Sequence, residues 1–175
     1  PLTAILGAAH LLAVTELSPQ QQKLVRILHS SSQSLANLIN DILDFSKIEA
    51  GKMSLEERAL DLRQLIHQTV LNLQVKADEK GLPIEVHIDE RVPGTVLGDP
   101  IKIGQVITNL LSNAIKFTEK GSVTVALEVR DLAPDAAAIE FRVTDTGIGI
   151  APDRLPHIFD EFTQANYDIG LKYGG

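Results

Sequence analysis

Residues 99–118 read DPIKIGQVITNLLSNAIKFT, and the spacing inside this stretch decides how the rest of the chain is understood. Asp99 and Pro100 form a cap and first-turn pair, which predicts a helix from Ile101 through Thr118. At about 100° per residue, Ile103, Ile107, Leu110 and Ala114 share one face, while Asn109, Asn113 and Lys116 share another. The first face packs into a core. The second offers two amide oxygens one turn apart, which suit Mg²⁺ already partly bound by phosphate oxygens and water, and then a lysine suited to phosphate. Phe117 falls at the edge of the apolar face, where a ring can lie against a base. A solvated helix face has the same composition, so the helix by itself leaves both readings open.

Downstream, Gly121 ends the helical segment, and Ser122–Arg130 and Ala138–Asp145 alternate as strands joined by a loop containing Pro134. The second strand runs into Asp145-Thr146-Gly147-Ile148-Gly149-Ile150. A carboxylate at a strand end can accept a hydrogen bond from the amine of adenine, and the two glycines admit backbone close to a ligand. Ordinary turns also have this composition, so the D-x-G-x-G pattern is weak alone.

Upstream of the helix, Leu62–Lys80 has helical spacing through Leu65, Ile66, Val70, Leu73 and Ala77, and Pro83–Ile88 alternates as a strand. Val92–Gly98 is expected to be a loop and Lys52–Glu56 a short strand. Residues 51–175 therefore read as a mixed unit with helices covering one face of a sheet. Ahead of the boundary at Ala50-Gly51, residues 2–14 suit the end of a helix. Ser18, Pro19 and Gln21 then open a second helix with a capping box, and it runs to about Glu49. Its Leu28, Ser31, Leu35, Leu38, Ile42 and Phe45 alternate spacings of three and four, a seam that one hairpin cannot cover. A homodimer completing a four-helix bundle is the expected remedy.

A net charge of −7 with no basic run argues against nucleic acid as a partner. The absence of cysteine fits a reducing compartment, and no stretch approaches the roughly 20 apolar residues of a membrane span, so a cytoplasmic location without direct membrane contact is expected. The start at Pro1 and the close at Gly174-Gly175 read as cuts inside a longer protein, and any membrane anchor would lie outside them.

Taken together, the segments resemble sensor histidine kinases. Asn109–Thr118 resembles the family's N box, Asp145–Ile150 its first glycine box, and Phe159-Asp160-Glu161-Phe162 its F box. DFSKIEAGKMSLE, residues 44–56, resembles the junction between hairpin and ATP unit in hybrid kinases, and Pro1-Leu2-Thr3 resembles the residues just after the H box. The five segments stand in the family's order across nearly the whole chain.

The resemblance implies an α+β chain, with an N-terminal antiparallel helical hairpin over residues 1–50 and a Bergerat-type α/β sandwich over 51–175. It implies that Asn113 is the principal Mg²⁺ ligand with Asn109 assisting, that Lys116 contacts phosphate, and that Phe117 lines the adenine pocket. Asp145 would read the adenine amine, while Gly147, Gly149 and Ile150 shape the pocket. Residues 151–175 would form the ATP lid, anchored by Phe159 and Phe162. The implied reaction moves the γ-phosphoryl of ATP to a histidine and then to an aspartate of a response-regulator receiver domain. The accepting histidine is expected about five residues before Pro1, and the second glycine box at or beyond Gly175, so no autophosphorylation is expected of these 175 residues alone. His10 and His29 lack the acid-x-Arg-Thr-Pro continuation, and His67, His87 and His157 are scattered without zinc spacing. Asp41 and Asp44 read as solvated charges on a helix face. Gyrase-like and chaperone ATPases share the fold but use a glutamate base where Asn109 stands, so negligible hydrolysis is expected. A dimerisation scaffold with a decayed site is the non-enzymatic alternative, and the complete Asn109, Asn113, Lys116 and Asp145 set argues against it.

Overall fold

The structure, a computed structural model, describes residues 1–133 and 136–159. It divides between Ser54 and Leu55 into two compact units, each described by itself.

In the first unit, α1 (Leu2–Ala13) and α2 (Pro19–Glu49) form a hairpin. The Ser18 hydroxyl accepts from the Gln21 N–H at 3.3 Å, and Gln21 Oε1 accepts from the Ser18 N–H at 2.9 Å, so two of the orphan donors at the start of α2 are satisfied. At the other end Gly51 takes φ +63°, its N–H donates to Ile48 O, and the Lys52 N–H donates to Lys47 O at 2.8 Å. This left-handed closure ends the helix. It also engages Lys52, and the strand expected at Lys52–Glu56 does not form: residues 52–57 have no regular structure. Ala9 is the single buried side chain of the hairpin, and Leu28, Leu35, Leu38 and Ile42 of the expected seam are 45–60% exposed.

The second unit opens with β1 (Arg58–Leu60), which pairs antiparallel with β3 (Val96–Gly98). The loop expected at Val92–Gly98 thus contains a strand. Three residues are too few for an alternation to show in sequence. Between these lie α3 (Leu62–Glu79), capped by the Asp61 carboxylate on the Gln64 N–H at 3.0 Å, and β2 (Ile84–Ile88). α4 (Pro100–Phe117) follows, then β4 (Val123–Ala133) and β5 (Ala136–Asp145). The main sheet has the order β2-β4-β5, with β2 parallel and β5 antiparallel to β4. The hairpin of β4 and β5 is longer at its turn than the alternation suggests, and Pro134 lies outside the described residues.

β4 explains why the helices lie on one face. Val123, Val125, Leu127 and Val129 are buried, and each such burial is worth roughly 1.5–3 kcal/mol. The alternate Glu128 and Arg130 join Glu140 and Arg142 in an exposed charge network, whose pairs contribute little beside the core. On α4 the buried stripe is Ile107, Leu111, Ala114 and Ile115, at i, i+4, i+7 and i+8. Leu110, expected in that stripe, is 43% exposed. Ile107 and Ala114 are buried and Ile103 packs against the core as the spacing suggested, while the centre of the buried face is shifted by roughly half of the 100° residue step.

Candidate functional site

The C-terminal end of α4 meets the loop after β5. Strand register places Asp145 opposite Val123, and one residue further the Thr146 N–H donates to Ser122 O at 3.2 Å while the Ser122 N–H donates to Thr146 Oγ1 at 3.0 Å. The ladder is thus prolonged by one rung, and the glycine loop begins beside the segment that leaves α4. The Ile148 N–H then donates to the Phe117 carbonyl at 3.3 Å, joining the loop to the last residue of the helix. Inside the loop the Gly147 N–H donates to Asp145 Oδ1 at 2.8 Å, which fixes the carboxylate at the strand end.

Two glycines make this approach possible. A Cβ on Gly147 would lie 2.5 Å from Phe117 O and 2.7 Å from Asp145 Oδ1, distances no side chain tolerates. Gly149 takes φ +67°, the left-handed region that costs other residues energy.

Lys116, Phe117, Asp145, Gly147 and Gly149 are therefore gathered where helix end and loop join. Lys116 and Phe117 are half-buried, with the ammonium 5.2 Å from the ring centroid. Asn113 and Asn109 lie one and two turns back along α4 and are exposed, as is Asp145. Ile150 is 46% exposed. Asn109 and Asn113 carry hard amide oxygens at helical spacing, a donor set that fits Mg²⁺ completed by phosphate and water but does not make a cage by itself. Phe159 is 92% exposed, so the packing expected of it is not seen, and Phe162 lies outside the described residues.

Sequence reasoning missed two residues here. Thr118 is fully buried, and its hydroxyl has no partner among the described residues. Lys80, at the end of α3, donates to the carbonyls of Ile115, Lys116 and Thr118. No local pattern announces a bond between helices 35 residues apart.

At the opposite end of α4, Asp99 Oδ1 accepts from the Ile101 and Lys102 N–H groups at 3.0 Å, and Oδ2 accepts from the Glu56 N–H at 3.2 Å. These bonds hold its carboxyl below the usual range, the Lys102 amide first among them. A cavity of about 940 Å³ also opens near this end, lined by Leu62, Ile66, Ile103, Ile107, Leu127 and Phe141 among others. Its walls are largely aliphatic, with Lys102 as the cation among them, and include none of Asn109, Asn113, Lys116 or Asp145, so it does not coincide with the site expected for a nucleotide.

Comparisons with known proteins agree in both units. Residues 1–51 match the family model described as His Kinase A (phospho-acceptor) domain. Residues 98–175 match the model described as Histidine kinase-, DNA gyrase B-, and HSP90-like ATPase. The chain is 40% identical over its whole length to the signal transduction histidine-protein kinase BarA of Escherichia coli, covering 19% of that protein. It is 38% identical, again over its whole length, to hybrid signal transduction histidine kinase L of Dictyostelium discoideum, covering 10% of it. The crystal structure of full-length ShkA in complex with AMPPNP superposes with a TM-score of 0.73 at 35% identity, over 94% of this chain and 34% of that one. The chain thus spans at most about a fifth of the length of these curated relatives. With a phospho-acceptor-type helical hairpin followed by an ATPase-type α/β unit, this chain belongs to the sensor histidine kinases.

Proposed function

We propose that these residues are the nucleotide-binding and dimerisation core of a hybrid-type sensor kinase, with ATP bound where the end of α4 meets the glycine loop. The observation that carries the reading is the Ile148–Phe117 backbone bond, because it brings Lys116, Phe117 and Asp145 into one neighbourhood. Asp145 accepts from the adenine amine, Phe117 lies against the base, and Lys116 meets the phosphates. Asn113, with Asn109, completes the shell of a Mg²⁺ ion, which would neutralise phosphate charge during transfer. The ShkA complex with an ATP analogue supports nucleotide as the ligand class.

Domain limits of 1–50 and 51–175 accompany this reading, and of the lid expected at 151–175 the part beyond residue 159 lies outside the described residues. The parent protein phosphorylates a histidine from ATP and passes the phosphoryl to a receiver aspartate, as expected of a relative of a hybrid kinase. None of the five histidines here takes the acceptor role. The hairpin pairs with a second copy of itself, since two helices that bury one alanine between them do not stand alone. Among the described residues no helix is long and apolar enough to cross a membrane. We assign the unit to the cytoplasm, where ATP and receiver domains are found.

Calorimetry with Mg-ADP tests the site. Asp145→Ala and Asn113→Ala should each weaken binding by about tenfold or more while melting temperature changes little, because both side chains are exposed. Wild-type affinity in both variants would refute the assignment. Acid-labile phosphate on the chain after incubation with Mg-ATP would overturn the claim about the acceptor.

A further inference from the structure

An α-helix ends with four carbonyls that lack intrahelical partners, and where they go decides how firmly its last turn is held. At α4 all four are satisfied. Ala114 O accepts from the Thr118 N–H at 3.1 Å, and Phe117 O accepts from the Ile148 N–H at 3.3 Å. Ile115 O and Lys116 O both accept from Lys80 Nζ, at 2.6 and 2.8 Å, and the same ammonium donates to Thr118 O at 3.2 Å. An ammonium has three N–H donors, and three carbonyls surround this one. Its charge also sits at the negative end of the α4 dipole.

Lys80 comes from another element, and its backbone is fixed independently. It is the C-cap of α3, followed by Gly81 at φ +65°, with the Leu82 N–H on Ala77 O at 2.9 Å. Leu82 itself is buried in the core. The lysine therefore reaches α4 from a rigid base, and its reach ends on the turn that carries Lys116 and Phe117.

We infer that Lys80 is a positioning residue of the nucleotide site: its ammonium clamps the last turn of α4 and, through the Phe117–Ile148 bond, holds the glycine loop in place. The inference rests on the nucleotide reading above, which it deepens. The three donors of Lys80 are directed at backbone carbonyls, so its assigned role is to hold the site rather than to contact base or phosphate. It acts by removing motion from Lys116 and Phe117, so that the nucleotide does not have to order them on binding.

The test compares Lys80→Met, which keeps the aliphatic stem and removes all three donors, with Lys80→Arg, which keeps a cation that donates to carbonyls. Lys76→Met controls for net charge, because it removes the same charge from the same helix. Mg-ADP affinity is measured by calorimetry, and amide hydrogen exchange is followed at Ile148, Thr118, Ile107 and Leu111. Lys80→Met should weaken Mg-ADP about tenfold and speed exchange at Ile148 and Thr118 by a similar factor, leaving Ile107 and Leu111 unchanged. Lys80→Arg should restore affinity to within about threefold of wild type, and Lys76→Met should match it. Wild-type affinity and exchange in Lys80→Met overturn the inference. Uniform acceleration along all of α4 overturns it too, since Lys80 would then be a general stability residue. A wild-type chain that binds no Mg-ADP refutes the nucleotide reading instead, and the exchange comparison still decides whether the clamp exists.

Discussion

At Gly147 one methyl group is enough to break the site. The added carbon would crowd the Phe117 carbonyl and the Asp145 carboxylate together, and the loop would have to move off the helix end. Gly147→Ala should therefore lose Mg-ADP binding by at least about tenfold and cost about 1–3 kcal/mol of stability, as overpacking does. Urea unfolding alongside calorimetry checks both, and unchanged affinity would show that the loop has slack the structure does not suggest. Asp145 at a strand end and Gly147 in the turn after it were legible in sequence because a carboxylate and glycines follow an alternating segment. Thr118 and Lys80 were not, because what marks them is a buried hydroxyl without a partner among the described residues and a bond to a distant helix.

At the scale of the element, α4 is fastened at both ends, and the fastening at its start depends on charge. Asp99 caps the helix and holds the Glu56 amide, and its carboxyl is lowered by those bonds. Asp89 is lowered well below the usual carboxylate range, chiefly by Arg91. Glu140 is lowered from 4.5 to about 2, first by Arg130 and then by Arg142. A folded-state value below the unfolded one means the folded state prefers the ionised form. That preference is fully present above the unfolded values of 3.8 and 4.5 and is lost as pH falls through the folded ones. The melting temperature should stay level from pH 7 to 5 and fall steadily between about pH 4.5 and 2. Asp99→Asn keeps a capping oxygen, so it should melt within a few degrees of wild type at pH 7 and lose part of the acid-sensitive decline. Differential scanning calorimetry across this range decides it, and an identical decline in the variant would remove Asp99 from the explanation.

At the scale of the whole molecule, the hairpin leaves Leu28, Leu35, Leu38 and Ile42 open along α2, an apolar seam whose proposed cover is a second copy. Sedimentation equilibrium should give twice the chain mass, and Leu35→Asp with Leu38→Asp should shift it toward the monomer with loss of helicity. A wild-type chain that stays monomeric at high concentration would defeat the dimer. The sequence alone determined the two helices of the hairpin, the cap at Ser18 and the core strands, because each is written in spacing over a few neighbouring residues, while the N-box-like and glycine segments were recognised only by their resemblance to a family. Tertiary structure alone decided that Leu111 and Ile115 rather than Leu110 complete the buried face of α4, that Arg58–Leu60 pairs with Val96–Gly98, and that Lys80 donates to the carbonyls at the end of α4. Those outcomes depend on groups far apart in the chain competing for the same space and the same hydrogen bonds, and no local periodicity records who wins.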